Sequence, residues 1–376
     1  MGDAHHLGRP RGADGVDLGD VDGDGDLDVT SGWEQAGLVT VSFNPGPQAA
    51  REPWLTVNIA RGLNGVEDAI FADVDGDGRL DVVSACECRR IVVHFAPAED
   101  DRLDEPAAWR SVTLAASLDR HRWMKSAVAD IDQDGRMDIV AGGKAGRPAT
   151  VAWFQAPADP RDGSAWTYHF IAEAGWTMSL LARDVDGDDD ADVVLSDRTY
   201  IIYPDGSRNY ALRGSRWYEN LEGGSEWGHH PIGFGGAEQK FLHVTDLDGD
   251  GTEDVLDTVS TSEVNRILFR RGLGDWDTWS VTPVEQPEGV GQIQDVKAED
   301  VDRDGQIDWC AATRTPTGHS RGWCGCSSRA RCSTRSGSGA RSAVRPASST
   351  TTSCSATSTR TATSTPSPRS RSSSSA

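Results

Sequence analysis

Long apolar stretches are missing from this sequence of 376 residues. No run of 18 apolar residues occurs, and a transmembrane helix needs about that length. Residues 1–6 also lack the basic start and apolar core of a signal peptide. The chain begins with a segment, His5 to Gly8, that resembles the end of an outer strand at His229 to Gly233. We therefore expect a further N-terminal segment, which could hold a signal peptide.

Basic residues are scarce. Lys and Arg number 37 against 59 Asp and Glu, and the formal net charge is −22. Binding to nucleic acid depends on Lys and Arg patches against phosphate, so we exclude nucleic acid as a partner. The acidic excess instead suits divalent cations.

Cysteine pairs are few. Four of the seven cysteines lie beyond residue 322. The other three, Cys86, Cys88 and Cys310, predict neither a disulfide framework nor a zinc site. We expect Cys86 and Cys88 to be small buried side chains.

What the sequence does contain is one nine-residue pattern repeated six times, D-x-D-x-D-G-x-x-D. The first Asp residues are spaced by 53, 57, 54, 62 and 54 residues. The Asp residues of the six loops stand at position 1 (Asp20, Asp73, Asp130, Asp184, Asp246, Asp300), position 3 (Asp22, Asp75, Asp132, Asp186, Asp248, Asp302), position 5 (Asp24, Asp77, Asp134, Asp188, Asp250, Asp304) and position 9 (Asp28, Asp81, Asp138, Asp192, Asp254, Asp308).

This pattern predicts calcium loops. Calcium is a hard cation that takes six to eight oxygen ligands, and three closely spaced Asp side chains followed by a fourth supply them. Gly at position 6 permits a positive φ; the fourth loop has Asp189 there, which tolerates that geometry better than most residues. Position 7 is expected to offer its backbone carbonyl, so its side chain is free to vary (Asp26, Arg79, Arg136, Asp190, Thr252, Gln306). β-branched residues follow the loops where an EF-hand would have a helix, so each loop should lie within a β-hairpin.

The rest of each unit also repeats. After the loop come a strand with an aromatic end, then a Trp with an apolar residue five positions later, as in Trp109 and Leu114, and then a short apolar strand. Four short strands in each unit of 50–60 residues predict an all-β fold, a β-propeller of six four-stranded blades over residues 1–321. The aromatic residues are expected to form the core between blades.

The six loops resemble the calcium loops of FG-GAP/VCBS repeats, which occur in integrin α-chain propellers and in bacterial extracellular proteins. Residues 234–237, Phe-Gly-Gly-Ala, are similar to that family's Phe-Gly and Gly-Ala signature. The resemblance covers residues 1 to about 320. It implies a calcium-binding propeller at the cell surface or outside the cell.

Residues 322–376 differ in composition from everything before them. They contain no Asp or Glu, and 27 of the 55 are Ser or Thr. As translated, this segment is expected to be disordered. Thr codons have the form ACN, and reading one base earlier turns each into NAC, which includes Asp. With G at the free bases, residues 356–365 then read Gly-Asp-Val-Asp-x-Asp-Gly-Asp-Val/Leu-Asp, a seventh loop 57 residues after Asp300.

A second segment agrees with the same shift, since residues 322–326 then permit the aromatic strand that the sixth unit should have there. We therefore expect that a one-base deletion near residue 321 displaced the reading frame of a seven-bladed design.

Two functions remain open. The first is a non-catalytic recognition or scaffold module for protein or carbohydrate, which needs millimolar calcium and so an extracellular, periplasmic or cell-surface location. The second is a carbohydrate-active lyase or dehydratase with its site at the mouth of the central channel, lined by residues at the start of each inner strand (Asp14, Glu67, Asp68, Trp123, Lys125, Trp176, Lys240, Gln292). Lys144 and Asp197-Arg198, after the second strands, are weaker additions.

Overall fold

The structure is a computed structural model. It describes residues 12–198, 201–202, 205–206, 208–209, 214–232, 238–260, 265–274, 276–284, 292–299, 307–314 and 320–325. Within these ranges the chain is almost entirely β, with three short 3-10 helices at Asp100–Arg102, Pro106–Ala108 and Ala115–Ser117. No helix in the described ranges is long and apolar enough to cross a membrane.

The strands form consecutive antiparallel sheets that we call blades 1 to 6. Blade 1 holds β1 (Ala13–Gly19), β2 (Asp28–Trp33), β3 (Leu38–Phe43) and β4 (Leu55–Arg61). Blade 2 holds β5 (Val66–Ala72), β6 (Asp81–Cys86), β7 (Arg90–Phe95) and β8 (Arg110–Thr113). Blade 5 holds β17 (Glu238–Thr245), β18 (Asp254–Ser260), β19 (Asn265–Gly272) and β20 (Trp279–Pro283). Blade 6 shows β21 (Gln292–Glu299), β22 (Asp308–Arg314) and β23 (Ser320–Gly325).

Blades 3 and 4 form one six-stranded sheet, because the long strand β11 belongs to both of them. Its strands are β9 (Arg122–Ala129), β10 (Asp138–Gln155), β11 (Thr167–Arg183), β12 (Asp192–Asp197), β15 (Gly214–Asn220) and β16 (Trp227–Pro231). The first half of β10 pairs with β9 and the second half with the start of β11. The end of β11 pairs with β12 and opens blade 4. A small hairpin, β13 (Ile201–Ile202) with β14 (Arg208–Asn209), lies between β12 and β15 along the chain.

The first strands of neighbouring blades contact one another, β1 with β5, β5 with β9, β9 with β11, β11 with β17 and β17 with β21. Five separate hydrophobic clusters each join two consecutive blades. This radial packing of four-stranded units through their faces is the architecture of a β-propeller. The sequence-based prediction of an all-β, propeller-like fold is therefore confirmed.

Each first strand carries a β-bulge near its start. In β9 the register passes from Lys125 opposite Gly142 to Trp123 opposite Gly143, which leaves Met124 as the extra residue. Similar breaks occur in β1, β5, β11, β17 and β21. A bulge turns the side chains on its two sides to different surroundings. It therefore decides which residues at the strand start reach the central channel.

The repeated Trp of each unit caps the connection that precedes it. Its indole N–H donates to a backbone carbonyl three to six residues earlier in all five described units (Trp54 to Ala50, Trp109 to Leu103, Trp166 to Pro160, Trp227 to Gly224, Trp279 to Trp276). Trp109 and Trp166 are buried in the clusters between blades, as the pattern predicted.

One expectation needs correction. Cys86 and Cys88 are joined by a disulfide, although the count of cysteines had predicted only two buried thiols. Strand β23 pairs with β22 as far as Gly325, and the boundary after residue 321 stays a prediction. Residues 326–376, with the predicted seventh loop, and residues 234–237, with the Phe-Gly-Gly-Ala segment, lie outside the described ranges.

Candidate functional site

The Asp at position 1 organises the backbone of each described loop. In loop 2, Oδ1 of Asp73 accepts the N–H groups of Gly76 and Asp77 at 2.8 and 3.1 Å, and Oδ2 accepts that of Gly78 at 2.9 Å. The bond from the position-6 N–H to the position-1 carboxylate recurs in the other described loops. One short-range network thus shapes all five turns.

This turn needs a positive φ at positions 4 and 6. Gly fills both in loops 1, 2 and 5. Loop 3 has Gln133 at position 4 with φ 56°, and loop 4 has Asp189 at position 6 with φ 72°. The fourth loop therefore keeps the turn although it lacks the second Gly.

The Asp at position 9 is buried and ties the loop to the sheet. In loop 3, Oδ2 of Asp138 accepts the N–H of Ile131 at 3.0 Å, and Oδ1 accepts the N–H of Ala156 at 2.7 Å. Each described loop makes the same two bonds, one to position 2 and one to the residue that follows or ends the third strand. The side chains at this position are 0 or 1% exposed. Position 9 therefore has a structural task whether or not a metal is bound.

Carboxylate oxygens of positions 1, 3 and 9 converge in loops 1 to 4, where one oxygen from each lies within 4.8 Å of the others. Two oxygens that share one Ca²⁺ at 2.3–2.6 Å lie at most about 5 Å apart. In loops 1 to 3 a buried carboxylate oxygen of position 1 or 3 has no hydrogen-bond partner, Oδ1 of Asp20, of Asp75 and of Asp132. In loop 4 the same is true of Oδ1 of Asp190 at position 7. All-oxygen donors, convergent and partly unsatisfied, fit a hard divalent cation. Position 5 is not a member of these four groups; its Oδ1 accepts the N–H of position 7.

Crowding of the carboxylates is visible in their proton affinity. Burial is the largest cause that raises the pKa of Asp81 and of Asp138 to about 7, and the other carboxylates of each loop raise it further. The same causes raise the pKa of Asp192 to about 6. A cation in the loop would favour the charged form and oppose this shift.

Arginine side chains approach two loops. Arg161, from the connection after β10, lies 2.5 Å from Oδ2 of Asp75. In loop 5, Arg271 lies 2.8 Å from Asp248 and 2.6 Å from Asp250. These contacts offset part of the local negative charge. The first seven positions of the sixth loop, residues 300–306, lie outside the described ranges, and the role of the position-7 carbonyls stays a prediction.

The opposite end of the blades, which we call the turn face, gathers a second set of charged residues. Nζ of Lys144 lies 3.0 Å from Oε1 of Glu67 and also contacts Glu87. Carboxylate oxygens of Glu34, Glu67 and Glu87 lie within 4.8 Å of one another. Glu67 and Lys144 are both buried, at 5 and 8% exposure. The cluster therefore links blades 1, 2 and 3.

Proton affinity at this cluster is strongly shifted. Burial and a hydrogen bond with Glu87 raise the pKa of Glu67 to about 8, although Lys144 acts in the opposite direction. Burial would raise the pKa of Glu87 too, but its contacts with Lys144 and Glu67 lower it. The pKa of Glu67 is thus shifted upwards and that of Glu87 downwards, so the carboxyl group of Glu67 keeps its proton to higher pH than that of Glu87.

Other predicted mouth residues have different environments. Lys125 is half-buried and lies 3.0 Å from Asp68, which is buried. Burial opposes the charge of Lys125, yet its pKa is raised because Asp68 stands next to it. Trp176 lies between two cations, with its ring centroid 4.4 Å from Nζ of Lys144 and 4.8 Å from Cζ of Arg198.

The remaining four residues have other environments, although Asp14 lies close enough to Lys125 and Asp68 for their charges to act on its pKa. Trp123 is fully buried between blades 2 and 3, where it packs against Phe154, so it cannot meet a ligand at the mouth. Asp14 is exposed on β1, and Lys240 is buried on β17. Gln292 starts β21 opposite Arg314, and its side chain lies outside the described part.

Two members of the cluster, Glu34 and Glu87, were missed by the sequence analysis. A signal for them exists, because each stands six residues after the position-9 Asp of its loop, and so do Lys144 and Arg198. Glu34, Glu87 and Arg198 directly follow the second strands of their blades, and Lys144 has the equivalent position within the long strand β10.

Comparison with known proteins agrees with this architecture. The family described as FG-GAP-like repeat matches residues 20–84 and 130–195. Each match begins at the first Asp of one loop and ends in the strand after the next loop. No curated protein matches the chain significantly. The two matched segments, which contain loops 1 to 4, support the assignment of these repeats to the FG-GAP family.

Proposed function

We propose that this chain is a calcium-stabilised β-propeller that acts outside the cell as a recognition or scaffold module for protein or carbohydrate. The observation that carries the calcium part is the convergence of positions 1, 3 and 9 with buried carboxylate oxygens left unpartnered in three loops. The family assignment and the propeller-like fold support the recognition part.

Positions 1, 3 and 9 would hold the ion, with position 5 and the position-7 carbonyl completing its oxygen shell. Calcium supplies positive charge that offsets the repulsion among the loop carboxylates. The protein's own residues fix the turn: position 1 orders the backbone N–H groups, and position 9 ties the loop to the third strand. Ion binding to the folded chain alone stabilises it by about 2.7 kcal/mol per site at a concentration of 100 Kd.

The proposed location follows from affinity. Rigid all-oxygen loops in extracellular modules bind calcium with Kd values of roughly 10⁻⁴ to 10⁻³ M. Such sites fill where calcium is millimolar, as it is outside cells. Nothing in the described fold resembles the paired helices of a calcium switch, so the role of the ion would be structural.

Thermal unfolding with and without calcium tests this proposal. We expect Tm to rise steeply as calcium is added to EDTA-treated protein, and magnesium to act much more weakly because it prefers a smaller octahedral site. Asp75→Asn should remove part of the rise, whereas Asp104→Asn, an exposed Asp outside the loops, should leave it intact. Equal Tm values in EDTA and in calcium would overturn the calcium proposal.

A second function, a carbohydrate-active lyase or dehydratase, is favoured by one observation. On the turn face the side chain of Lys144 contacts both Glu67 and Glu87, and the pKa of Glu67 is raised to about 8 while that of Glu87 is lowered. A carboxylic acid held neutral near pH 7 beside a base is an arrangement suited to general acid–base chemistry. The low exposure of Glu67 and Lys144 favours a structural link between blades, and this is why recognition is our first proposal.

A screen of polysaccharides for unsaturated products tests the second function. Activity that disappears in Glu67→Gln and persists in Glu34→Gln would support catalysis. A glycan-array signal that survives both substitutions, without turnover, would support recognition alone.

A further inference from the structure

One face of blade 1 is uncovered in a way that no other described blade shows. Val16 and Leu18 lie four and two residues before the first loop Asp and are 61 and 56% exposed. The residues four before the loop in blades 2 to 6 are all buried: Ala69, Ser126, Leu180, Leu242 and Val296. Those two before it are buried or packed into the clusters between blades: Phe71, Val128, Ala182, Val244 and Ala298.

In each later blade these two positions face the preceding blade. The apolar pair on β1 therefore marks the face on which blade 1 should receive a neighbour. The described part of blade 6 does not supply it, because no hydrophobic cluster among the described residues joins blade 6 to blade 1. Lys297 of β21 nevertheless acts on the pKa of Asp17 in β1, so the chain curves round and brings its two ends towards each other.

The contact between blades 1 and 2 shows what that neighbour must look like. Phe71 and Leu80 of blade 2 lie against Gly19, the residue before the first loop: a Cβ on Gly19 would stand 3.0 Å from the Phe71 ring and 2.8 Å from Leu80 Cδ1. Between blades 4 and 5 the same two positions form an ion pair, Arg183 with Glu253. In these two cases the residue before a loop is complementary, in size or in charge, to the side chains that it contacts in the next blade.

Blade 1 offers large residues at the two positions that correspond to Phe71 and Leu80, namely Leu18 and Leu27, and both are more than half exposed. Gly19 is the residue that meets Phe71 and Leu80, so a blade that covers Leu18 and Leu27 in the same way would carry Gly before its loop. With G at the free bases, codons 356–365 read one base earlier permit a loop of the correct length preceded by Gly in place of Ala356. Its distance from Asp300, 57 residues, equals a spacing already present between loops 2 and 3.

We propose that the exposed face of blade 1 is the docking surface for a seventh blade, encoded one base out of frame downstream of residue 321. This blade would cover Val16, Leu18 and Leu27, place its Gly against the two leucines and close the ring. The proposal is independent of the ligand and of calcium, because it rests on the packing of apolar side chains and on the codon pattern.

Reading the gene is the first test. The shifted frame must remain open from codon 321 to beyond codon 365, and the third base of codon 355 must be G. A stop codon in that interval, or a residue other than Gly at this place, would overturn the proposal.

Thermal unfolding of two proteins, the chain as it stands and the chain with the frame restored, is the second test. Leu18→Asp is compared with Leu55→Asp, a matched control on the outer strand of the same blade with 50% exposure. In the chain as it stands both substitutions should change Tm by no more than about 1 °C, because both side chains are in water. In the restored protein Leu18→Asp should lower Tm by on the order of 5 °C and Leu55→Asp should not.

Sedimentation of the chain as it stands, together with its thermal unfolding, tests whether something other than a seventh blade covers the exposed face of blade 1. A dimer that dissociates in Leu18→Asp would show that a second copy covers blade 1. A monomer that Leu18→Asp destabilises would show that blade 6 already closes the ring. Either result overturns the proposal, and neither depends on the restored protein folding.

Discussion

Substitutions of Asp138 and Asp132, both in loop 3, should differ in how their effect on the free energy of unfolding depends on calcium. Asp138 accepts two backbone N–H groups, from Ile131 and Ala156, and is fully buried. Asp138→Ala leaves both donors without a partner. Each buried unsatisfied group costs about 1–3 kcal/mol, so the loss of unfolding free energy should be about 2–6 kcal/mol even in EDTA.

Asp132 makes no backbone hydrogen bond in the structure; one oxygen accepts from Gln155 Nε2 and the other has no partner. In EDTA, Asp132→Ala should change the free energy of unfolding by less than about 0.5 kcal/mol, since it also removes one of several repelling charges. In calcium it should lose the contribution of one site, about 2.7 kcal/mol at 100 Kd.

Urea unfolding of both variants, each in EDTA and in calcium, gives the four values required. The midpoint shifts are comparable only if the m-value is unchanged. Equal losses for the two variants in EDTA would refute the assignment of separate roles to positions 3 and 9. Equal losses in calcium and in EDTA for Asp132→Ala would refute the role of that loop in metal binding.

Three further predictions follow from the structure. Trp123→Ala should lower the free energy of unfolding by about 3–5 kcal/mol, because it leaves a cavity in the core. Trp176→Ala should lower it by less, because Trp176 is only partly buried. Chemical unfolding measures both values, and equal losses would contradict the placement of Trp123. Asp189→Gly should stabilise the protein by about 0.5–1 kcal/mol, because it relieves a positive φ at a non-Gly residue; a lower Tm in EDTA would argue against that reading. The pKa of Glu67 is raised from 4.5 to about 8 in the folded chain, which therefore holds this proton more tightly than the unfolded chain. The free energy of unfolding should fall as pH rises from about 5 to 8. Glu67→Gln should flatten this fall in a pH profile of Tm, and an unchanged profile would exclude the shift.

The loops and the order of strands could be predicted from sequence because their determinants are local. Apart from the second bond of position 9, the backbone N–H groups that the loop carboxylates accept lie at most seven residues away, and the β-branched residues after the loop start the next strand. The clusters between blades were also foreseeable in type, since Trp109 and Trp166 recur at one place in each unit. The β-propeller could be predicted because this four-stranded unit is repeated along the chain.

The start of each first strand could not be predicted in the same way. Simple alternation places Trp123 and Lys125 on one side of a strand, but the bulge at Met124 separates them. Trp123 enters the core, whereas Lys125 meets Asp68. A single extra residue reverses the direction of the side chains beyond it, and no residue type in these segments announces it.

The second bond of position 9 was also out of reach, because Asp138 meets Ala156 only after the third strand has folded back. The sequence analysis treated all Asp residues of a loop as ligands of equal kind. Their division into turn-formers, metal-facing groups and a tie to the sheet depends on contacts that are distant along the chain.

Equivalent positions carry the same residue type in every blade at the loop face, but differ in charge between blades at the turn face. This difference indicates where a ligand would be recognised. On the loop face, positions 1, 3 and 9 are Asp in every unit, because each has the same geometric task. On the turn face, the position six residues after each loop is Glu34, Glu87, Lys144 or Arg198 in blades 1 to 4. The backbone position is equivalent in each blade while the charge of its side chain varies. Such a position can determine the charge of a binding surface without changing the fold of the blade. Selectivity for a ligand should therefore depend on the turn face, and stability on the loop face.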